Sequence, residues 1–192
     1  MGNQDLKNTK TEINLMKAFT GESQARNRYT IFASVAKKDG MEQIAAIFQE
    51  TADNEKEHAK IYYNHMQNGP IEFCATMPYC LGSTYDNLMC AASGEHEEWT
   101  TLYPSFADVA EEEGFYEIAT SFRNIASVEK HHDSRFKKLA QNIVNYDVFK
   151  KGSEVFWKCR NCGYIHSGAS APLFCPTCNH PKAYFEVLCD NF

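Results

Sequence analysis

The chain has 192 residues and a formal net charge of −6, with 43% hydrophobic and 23% charged residues. This balance is typical of a globular protein and excludes a disordered chain, and the length allows one medium domain with a small one. The acidic excess disfavours nucleic acid and membranes as partners, since both attract basic faces. The first residues, MGNQDLKNTKTE, lack the apolar core of a secretory signal. The sequence therefore predicts a cytoplasmic protein, in which cysteines are usually thiols or metal ligands.

Up to residue 146 the sequence predicts four helices, each with a stripe of inward-facing residues at steps of three and four. The first stripe runs through Leu15, Phe19, Glu22, Arg26, Tyr29, Ala33 and Ala36, and the third through Leu88, Ala91, Glu95, Glu98 and Leu102. Gly40 and Gly114 each separate two helices of a tight hairpin. Residues 68–84 lack a helical period and predict a crossover, and Pro104 predicts a kink in the third helix. This order predicts a ferritin-like four-helix bundle.

Polar residues interrupt these stripes in a repeated pattern. In the first half of the bundle Glu55 follows Glu22 by 33 residues, and His58 comes three residues after Glu55. In the second half Glu129 follows Glu95 by 34 residues, and His132 comes three residues after Glu129. The Glu and His of a Glu-x-x-His pair lie on one helix face. Two helices with such a pair, together with one Glu from each of the other two helices, form the ligand set of a dinuclear metal site.

The alternative is that these are exposed charges on helices whose register is misjudged. Two matching copies within apolar stripes favour metal binding, because several unpaired carboxylates cannot remain in a core without cations. Glu98 shares a helix face with Glu95 and adds a fifth carboxylate, and this oxygen-rich set favours iron or manganese. Tyr29 and Tyr103 lie near the cluster, as core tyrosines or as hydroxyl donors, and the sequence alone favours the core.

Beyond residue 150 the composition changes to Cys, Gly, Pro and aromatic residues, which predicts a second domain at 150–192 after a first at 1–149. Cys159, Cys162, Cys175 and Cys178 form two Cys-x-x-Cys knuckles, a tetrahedral metal-site pattern that fits zinc or iron. A redox-capable dinuclear site needs an electron source, which favours iron. The remaining cysteines, Cys74, Cys80, Cys90 and Cys189, have no paired spacing and are interpreted as small hydrophobic residues or incidental thiols.

The chain resembles the rubrerythrin family over nearly its whole length. The resemblance rests on GESQARNRY at 21–29, ETADNEKEHAKIYY at 50–63, GEHEEWTTLYPSFADVAEEEGF at 94–115, FRNIASVEKHHDSRF at 122–136, CRNCGYIH at 159–166 and CPTCNHPKAYFEV at 175–187. It implies a mainly α fold: a ferritin-like bundle holding two iron ions, followed by a small rubredoxin-like β domain holding one iron ion in an Fe(Cys)₄ site.

The resemblance also implies an activity and a role for each ligand. The activity is reduction of hydrogen peroxide to water, with electrons from NADH passed through a separate redox protein such as rubredoxin or its reductase. Glu55 and Glu129 would bridge the irons, and Glu22, Glu95 and His132 would be terminal ligands. One iron would move between His58 and Glu98, and Tyr29 and Tyr103 would lie next to the ligands. The resemblance further implies a homodimer.

Two other functions fit the same residues: a ferroxidase or oxygen-reducing oxidase, and a non-enzymatic iron-binding protein with a structural zinc ribbon. The helix after His132 carries the chain about 21 Å from the metals before Tyr146. We therefore expect the small domain to leave from one end of the bundle and to dock more easily on a partner's site, in a head-to-tail homodimer.

Overall fold

The computed structural model describes residues 5–67 and 69–190. Helix α1 (Lys10–Lys38) and helix α2 (Glu42–His65) form the first hairpin. The second hairpin begins with α3 (Thr84–Glu97), continues through a π-helical segment (Glu98–Leu102) into α4 (Tyr103–Glu112), and returns along α5 (Tyr116–Val144). The predicted mainly α fold with four helical rods is confirmed. No helix within the described ranges has the length and hydropathy needed to cross a membrane.

Both hairpin turns depend on a glycine in the left-handed region. Gly40 has φ +73° and Gly114 has φ +83°, a conformation that costs a residue with a Cβ about 1–2 kcal/mol. The described part of the crossover between the hairpins contains neither helix nor strand before Ser83, which caps α3 by accepting a hydrogen bond from the Asp86 N–H. The predicted hairpins and crossover agree with the structure.

The π-helical segment changes the predicted course of the third helix. Pro104 lies in the first turn of α4 and has no N–H to donate. Just before it, the Tyr103 N–H donates to the Glu98 carbonyl, five residues back. The extra residue in this turn moves the inward-facing position from Leu102, which is half-buried, to Tyr103, which is buried.

The first helix also departs from its predicted stripe. Arg26, placed on the inward face from the sequence, is exposed, whereas Arg28 is buried. The prediction was wrong because a strict alternation of three and four skipped position 28, where α1 faces the second hairpin. Ala25 and Phe32 complete the inward face that the alternation missed.

Two apolar layers fill the bundle. One, near Gly40, is built around Phe32, Phe48, Leu88 and Phe136. The other, toward the opposite end, is built around Leu15, Tyr62, Phe106, Phe122 and Ile125. The inward-facing Glu and His side chains lie at chain positions between these layers, so both ends of the polar region are covered by apolar side chains.

The cysteines of the second hairpin show a further departure from prediction. Cys80, at the end of the crossover, forms a disulfide with Cys90 of α3, with their Cα atoms 6.6 Å apart. The interpretation of these two residues as unpaired was wrong, because sequence spacing gives no measure of the distance between a crossover and the helix it runs along. Cys74 and Cys189 are free and exposed.

The C-terminal part is a three-stranded antiparallel sheet in the order β2-β1-β3. Its strands are β1 (Lys150–Cys159), β2 (Ile165–Ser170) and β3 (Phe185–Val187). Trp157 is fully buried and donates from its indole nitrogen to the Gly168 carbonyl at 3.0 Å. The segment around Ala183 packs beside the Gly40 turn, since a Cβ on Gly40 would lie 3.7 Å from that of Ala183.

Candidate metal centres

Six of the seven predicted ligands of the dinuclear site converge inside the bundle. They form two groups, Glu22, Glu55, His58 and Glu129 in one and Glu55, Glu95, Glu129 and His132 in the other. Within each group the candidate ligand atoms lie within 4.8 Å of one another, and every member is buried.

Glu55 and Glu129 belong to both groups, and each directs one oxygen to each histidine. His58 Nδ1 lies 2.9 Å from Glu55 Oε2 and 2.9 Å from Glu129 Oε1. His132 Nδ1 lies 3.2 Å from Glu55 Oε1 and 2.8 Å from Glu129 Oε2. The two imidazole rings lie 6.0 Å apart in a stacked arrangement. Two carboxylates spanning two imidazoles in this way can bridge a pair of cations.

Several buried polar atoms of the cluster have no hydrogen-bond partner among the described residues, although His58 Nδ1 forms a hydrogen bond with Glu55 Oε2. Within the cluster, the buried atoms without a hydrogen-bond partner in the described chain are Glu55 Oε1, Glu95 Oε2, both carboxylate oxygens of Glu129 and His132 Nδ1. Several of them are close enough for ion pairing but not aligned for hydrogen bonding. Buried polar atoms are normally satisfied, and cations held between these ligands would satisfy them. The residues therefore fit a dinuclear metal site.

Without cations the cluster has strongly perturbed proton affinities. Burial, only partly offset by His58, raises the pKa of Glu22 to about 7. Burial and the neighbouring carboxylates raise the pKa of Glu129 well above its usual range. Burial lowers the pKa of His132, but the close carboxylates of Glu129, Glu55 and Glu95 outweigh that effect and raise it to about 12. The metal-free cluster thus retains protons where cations would otherwise balance the charge.

The two predicted tyrosines hold the outer carboxylates. The Tyr29 hydroxyl donates to Glu95 Oε1 and the Tyr103 hydroxyl donates to Glu22 Oε1, and both rings are buried. A carboxylate fixed by a neutral donor keeps its other oxygen directed to the centre of the cluster. The tyrosines are therefore both core residues and hydroxyl donors.

Glu98 lies at the edge of the site. It is half-buried, belongs to neither ligand group, and lines a cavity together with Tyr103. Burial and the carboxylates of Glu22, Glu95 and Glu129 raise its pKa well above the usual range. Its role as a ligand stays a prediction.

A polar cluster beside His132 was not predicted. Asp133 accepts hydrogen bonds from His96 Nδ1 at 3.0 Å, Trp99 Nε1 at 3.1 Å and Lys137 Nζ at 2.9 Å. These contacts join α5 to the end of α3 and to the π-helical segment. The sequence signal was weak, since an aspartate next to a predicted ligand looks like an ordinary surface charge.

The four predicted cysteines of the C-terminal sheet also converge. All four sulfur atoms lie within 4.8 Å of one another, with Cys159 Sγ 3.8 Å from Cys178 Sγ and Cys162 Sγ 3.6 Å from Cys175 Sγ. The backbone N–H of His180 lowers the pKa of Cys178 to about 6, which favours the thiolate that binds metal. Four sulfur ligands in this arrangement fit one tetrahedral metal ion.

The fold and the two centres define a ferritin-like dinuclear carboxylate protein with a rubredoxin-like C-terminal domain. The rubrerythrin family model matches residues 14–140, and the model for the rubredoxin-like domain of rubrerythrin matches residues 157–186. The chain belongs to the rubrerythrin family, whose members are oxidoreductases. The expected cofactor sites, a di-iron site and an Fe(Cys)₄ site, are confirmed as candidate sites.

Individual relatives are similar over nearly the whole chain. A rubrerythrin of Porphyromonas gingivalis is 53% identical over 99% of this chain and 96% of its own length. A rubrerythrin of Clostridium perfringens is 55% identical over 98% of this chain and 100% of its own. Among solved structures, nigerythrin in a fully reduced, all-ferrous state is 31% identical with a TM-score of 0.63, covering 98% of this chain and 94% of the nigerythrin chain.

Proposed function

We propose that this chain is a non-haem di-iron peroxidase that reduces hydrogen peroxide to water in the cytoplasm. Two electrons and two protons convert one peroxide molecule into two waters. The observation that carries the proposal is the pair of ligand groups sharing Glu55 and Glu129, next to a cavity that reaches Glu98. Bound iron would supply one electron from each of two ions, as a two-electron reduction requires.

We assign each residue of the site a role as an iron ligand or as a neighbour of the ligands. Glu55 and Glu129 would bridge the irons, Glu22, Glu95 and His132 would be terminal ligands, and His58 and Glu98 would alternate as ligands of one iron. Tyr29 and Tyr103 orient Glu95 and Glu22 through the hydrogen bonds described above. In the metal-free chain, burial and the neighbouring carboxylates raise the pKa of Glu98, so its carboxyl group at the cavity wall would be suited to exchange protons with the entering peroxide.

Glu98 gives the sharpest test of this assignment. We expect Glu98→Ala to reduce peroxide turnover by about 10²-fold or more, as loss of a positioned proton donor does. Glu97→Ala is the matched control, because Glu97 is exposed and lines the same cavity. Full turnover in Glu98→Ala would remove the role proposed for that carboxyl group.

The choice of oxidant separates the proposal from a ferroxidase or oxidase. We expect the reduced holoprotein to be reoxidised much faster by peroxide than by oxygen in stopped-flow absorption measurements. The opposite order would favour the oxidase. An absorption spectrum of the isolated protein with metal analysis tests the non-enzymatic alternative, since a zinc-filled cysteine site is colourless and an Fe(Cys)₄ site is red when oxidised.

Electrons would reach the di-iron site through the Fe(Cys)₄ centre of a partner subunit in a head-to-tail homodimer. The C-terminal domain packs beside its own Gly40 turn, and Gly40 follows Glu22 by 18 residues, about 27 Å along a helix. That placement supports transfer between subunits. The reductant would be an NADH-linked redox protein such as rubredoxin or its reductase.

Mixing two inactive variants tests transfer between subunits. Cys162→Ser would silence the C-terminal centre and Glu129→Ala the di-iron site, so only a mixed dimer combines an intact copy of each. We expect activity to return on subunit exchange. If a mixture shown by mass spectrometry to contain mixed dimers stays inactive, transfer between subunits is excluded.

A further inference from the structure

A cavity of about 310 Å³ lies beside the carboxylate cluster. Its walls come from α1, from the crossover at 74–78, and from the second hairpin around Glu98 and Tyr103. The volume is at the lower end of the range for small-molecule sites and several times that of hydrogen peroxide, since a water molecule occupies about 30 Å³. The cavity can therefore hold a larger molecule.

Arg28 lines this cavity and is only 8% exposed. Its Nε and Nη1 atoms are inaccessible and have no hydrogen-bond partner in the described ranges. Its cationic contact there is with the face of the Tyr29 ring, 5.5 Å from the ring centre. An isolated buried cation is costly, so an anion bound beside this guanidinium group would be stabilised.

Among the described residues, no carboxylate supplies that anion. Glu97 and Glu98 line the same cavity, yet in the described structure neither forms an ion pair with Arg28. Gly94 of α3 leaves room beside the guanidinium group, since a Cβ there would come within 3.4 Å of Arg28 Nη2. Within the described part of the chain, the guanidinium group thus lies at the cavity wall with Nε and Nη1 unpartnered and without an ion pair to either of these carboxylates.

The rest of the cavity lining is largely apolar and fits the apolar part of a ligand. Apolar side chains of α1, the crossover and α4 contribute to the walls: Ala18, Ala75, Met77, Pro78 and Phe106. The positive charge of a guanidinium group attracts a carboxylate, and the apolar walls match a short hydrocarbon body.

We propose that this cavity binds a small organic carboxylate, with the carboxylate on Arg28 and its apolar body against Met77 and Phe106. Because Glu98 and Tyr103 form part of the same walls, the bound molecule lies against the side of the di-iron site from which peroxide would enter. The proposal concerns binding alone and stands or falls independently of the peroxidase activity.

The test measures binding to the holoprotein by isothermal titration calorimetry. The probes are hexanoate, hexan-1-ol, which lacks the charge, and inorganic phosphate, which lacks the apolar body. We expect saturable binding of hexanoate at millimolar concentration or below, and binding of hexanol and phosphate at least about ten-fold weaker. Equal affinity for hexanol would exclude Arg28 as the anchor, and equal affinity for phosphate would exclude the organic ligand.

Variants locate the interaction. Arg28→Met should weaken hexanoate binding at least about ten-fold, and Arg28→Lys should restore part of it, since lysine keeps the positive charge on a side chain of different shape. Arg26→Met is the matched control, because it removes the same charge from an exposed position of α1. Unchanged hexanoate affinity in Arg28→Met, or no saturable binding to the unaltered protein, would overturn the proposal. The probe comparison in the unaltered protein remains decisive if Arg28→Met does not fold.

Discussion

Removing the metal should make the stability of the bundle fall steeply as the pH rises. In the metal-free protein the buried Glu22 carboxyl has a pKa of about 7, against 4.5 for an ordinary glutamate. The folded state therefore holds a proton that the unfolded state has lost. The resulting stabilisation is fully present below pH 4.5 and disappears as the pH rises through about 7.

The magnitude follows from the two pKa values. At about 1.36 kcal/mol per pKa unit, raising the pH from about 5 to about 7.5 removes roughly 2.4 kcal/mol through Glu22 alone. His132 acts in the same direction above pH 6.5, because its folded-state pKa is raised to about 12. For a chain of this size the Glu22 contribution corresponds to a decrease of roughly 5–10 °C in melting temperature.

The assay is thermal unfolding followed by far-UV circular dichroism, with apo-protein and holoprotein compared across that pH range. The holoprotein should not lose stability with pH, because bound cations replace the protons and bind better as the ligands deprotonate. Glu22→Gln is the matched control, because its amide oxygen can still accept from Tyr103, and it should remove about 2.4 kcal/mol of the apo-protein's pH dependence. An apo-protein that becomes more stable with rising pH, or a Glu22→Gln variant with the full pH dependence, would show that the Glu22 proton does not stabilise the folded state.

Three further predictions concern the surroundings of the site. Reducing the Cys80–Cys90 disulfide, which spans a sequence separation of 10, should lower the free energy of unfolding by roughly 2–3 kcal/mol in denaturant titrations. A variant with serine at both positions should not respond to reductant. If reductant destabilised this variant as much as the unaltered protein, the disulfide would be contradicted. Tyr103→Phe should weaken metal binding about 10–100-fold in chelator competition, whereas Tyr63→Phe, at an exposed position, should not change it. Asp133→Ala should lower the free energy of unfolding by roughly 1–3 kcal/mol in denaturant titrations and alter tryptophan fluorescence, since three donors lose their acceptor. An unchanged spectrum and an unchanged stability would show that the Asp133 cluster contributes nothing to folding.

Much of the candidate metal site could be predicted because metal ligands in helices carry their own spacing. Glu55 and His58 share a face whatever surrounds them, and a buried carboxylate in an apolar stripe is costly enough to stand out. The paired cysteine knuckles are equally local. Both kinds of ligand pair could therefore be predicted from local spacing alone.

The features that the sequence did not predict depend on contacts between segments distant along the chain. Arg28 and Arg26 differ by two positions, and only the approach of the second hairpin decides which one is buried. The Cys80–Cys90 pairing depends on the path of a crossover without regular structure. Glu98 has the spacing of a ligand, but its place at the edge of the site follows from the π-helical turn that it begins.

That turn makes chain length, rather than composition, the sensitive property of the third helix. In an uninterrupted α-helix Tyr103 would lie about 140° around the axis from Glu98, and the extra residue reduces this to about 40°, so both side chains line one cavity. Deleting one residue between positions 98 and 102 would restore a regular helix and leave Tyr103 about 40° from Glu98, because it would then follow four residues later. Inserting one more residue would instead rotate Tyr103 by about 100°. Its hydroxyl would then leave Glu22, although no ligand had been replaced.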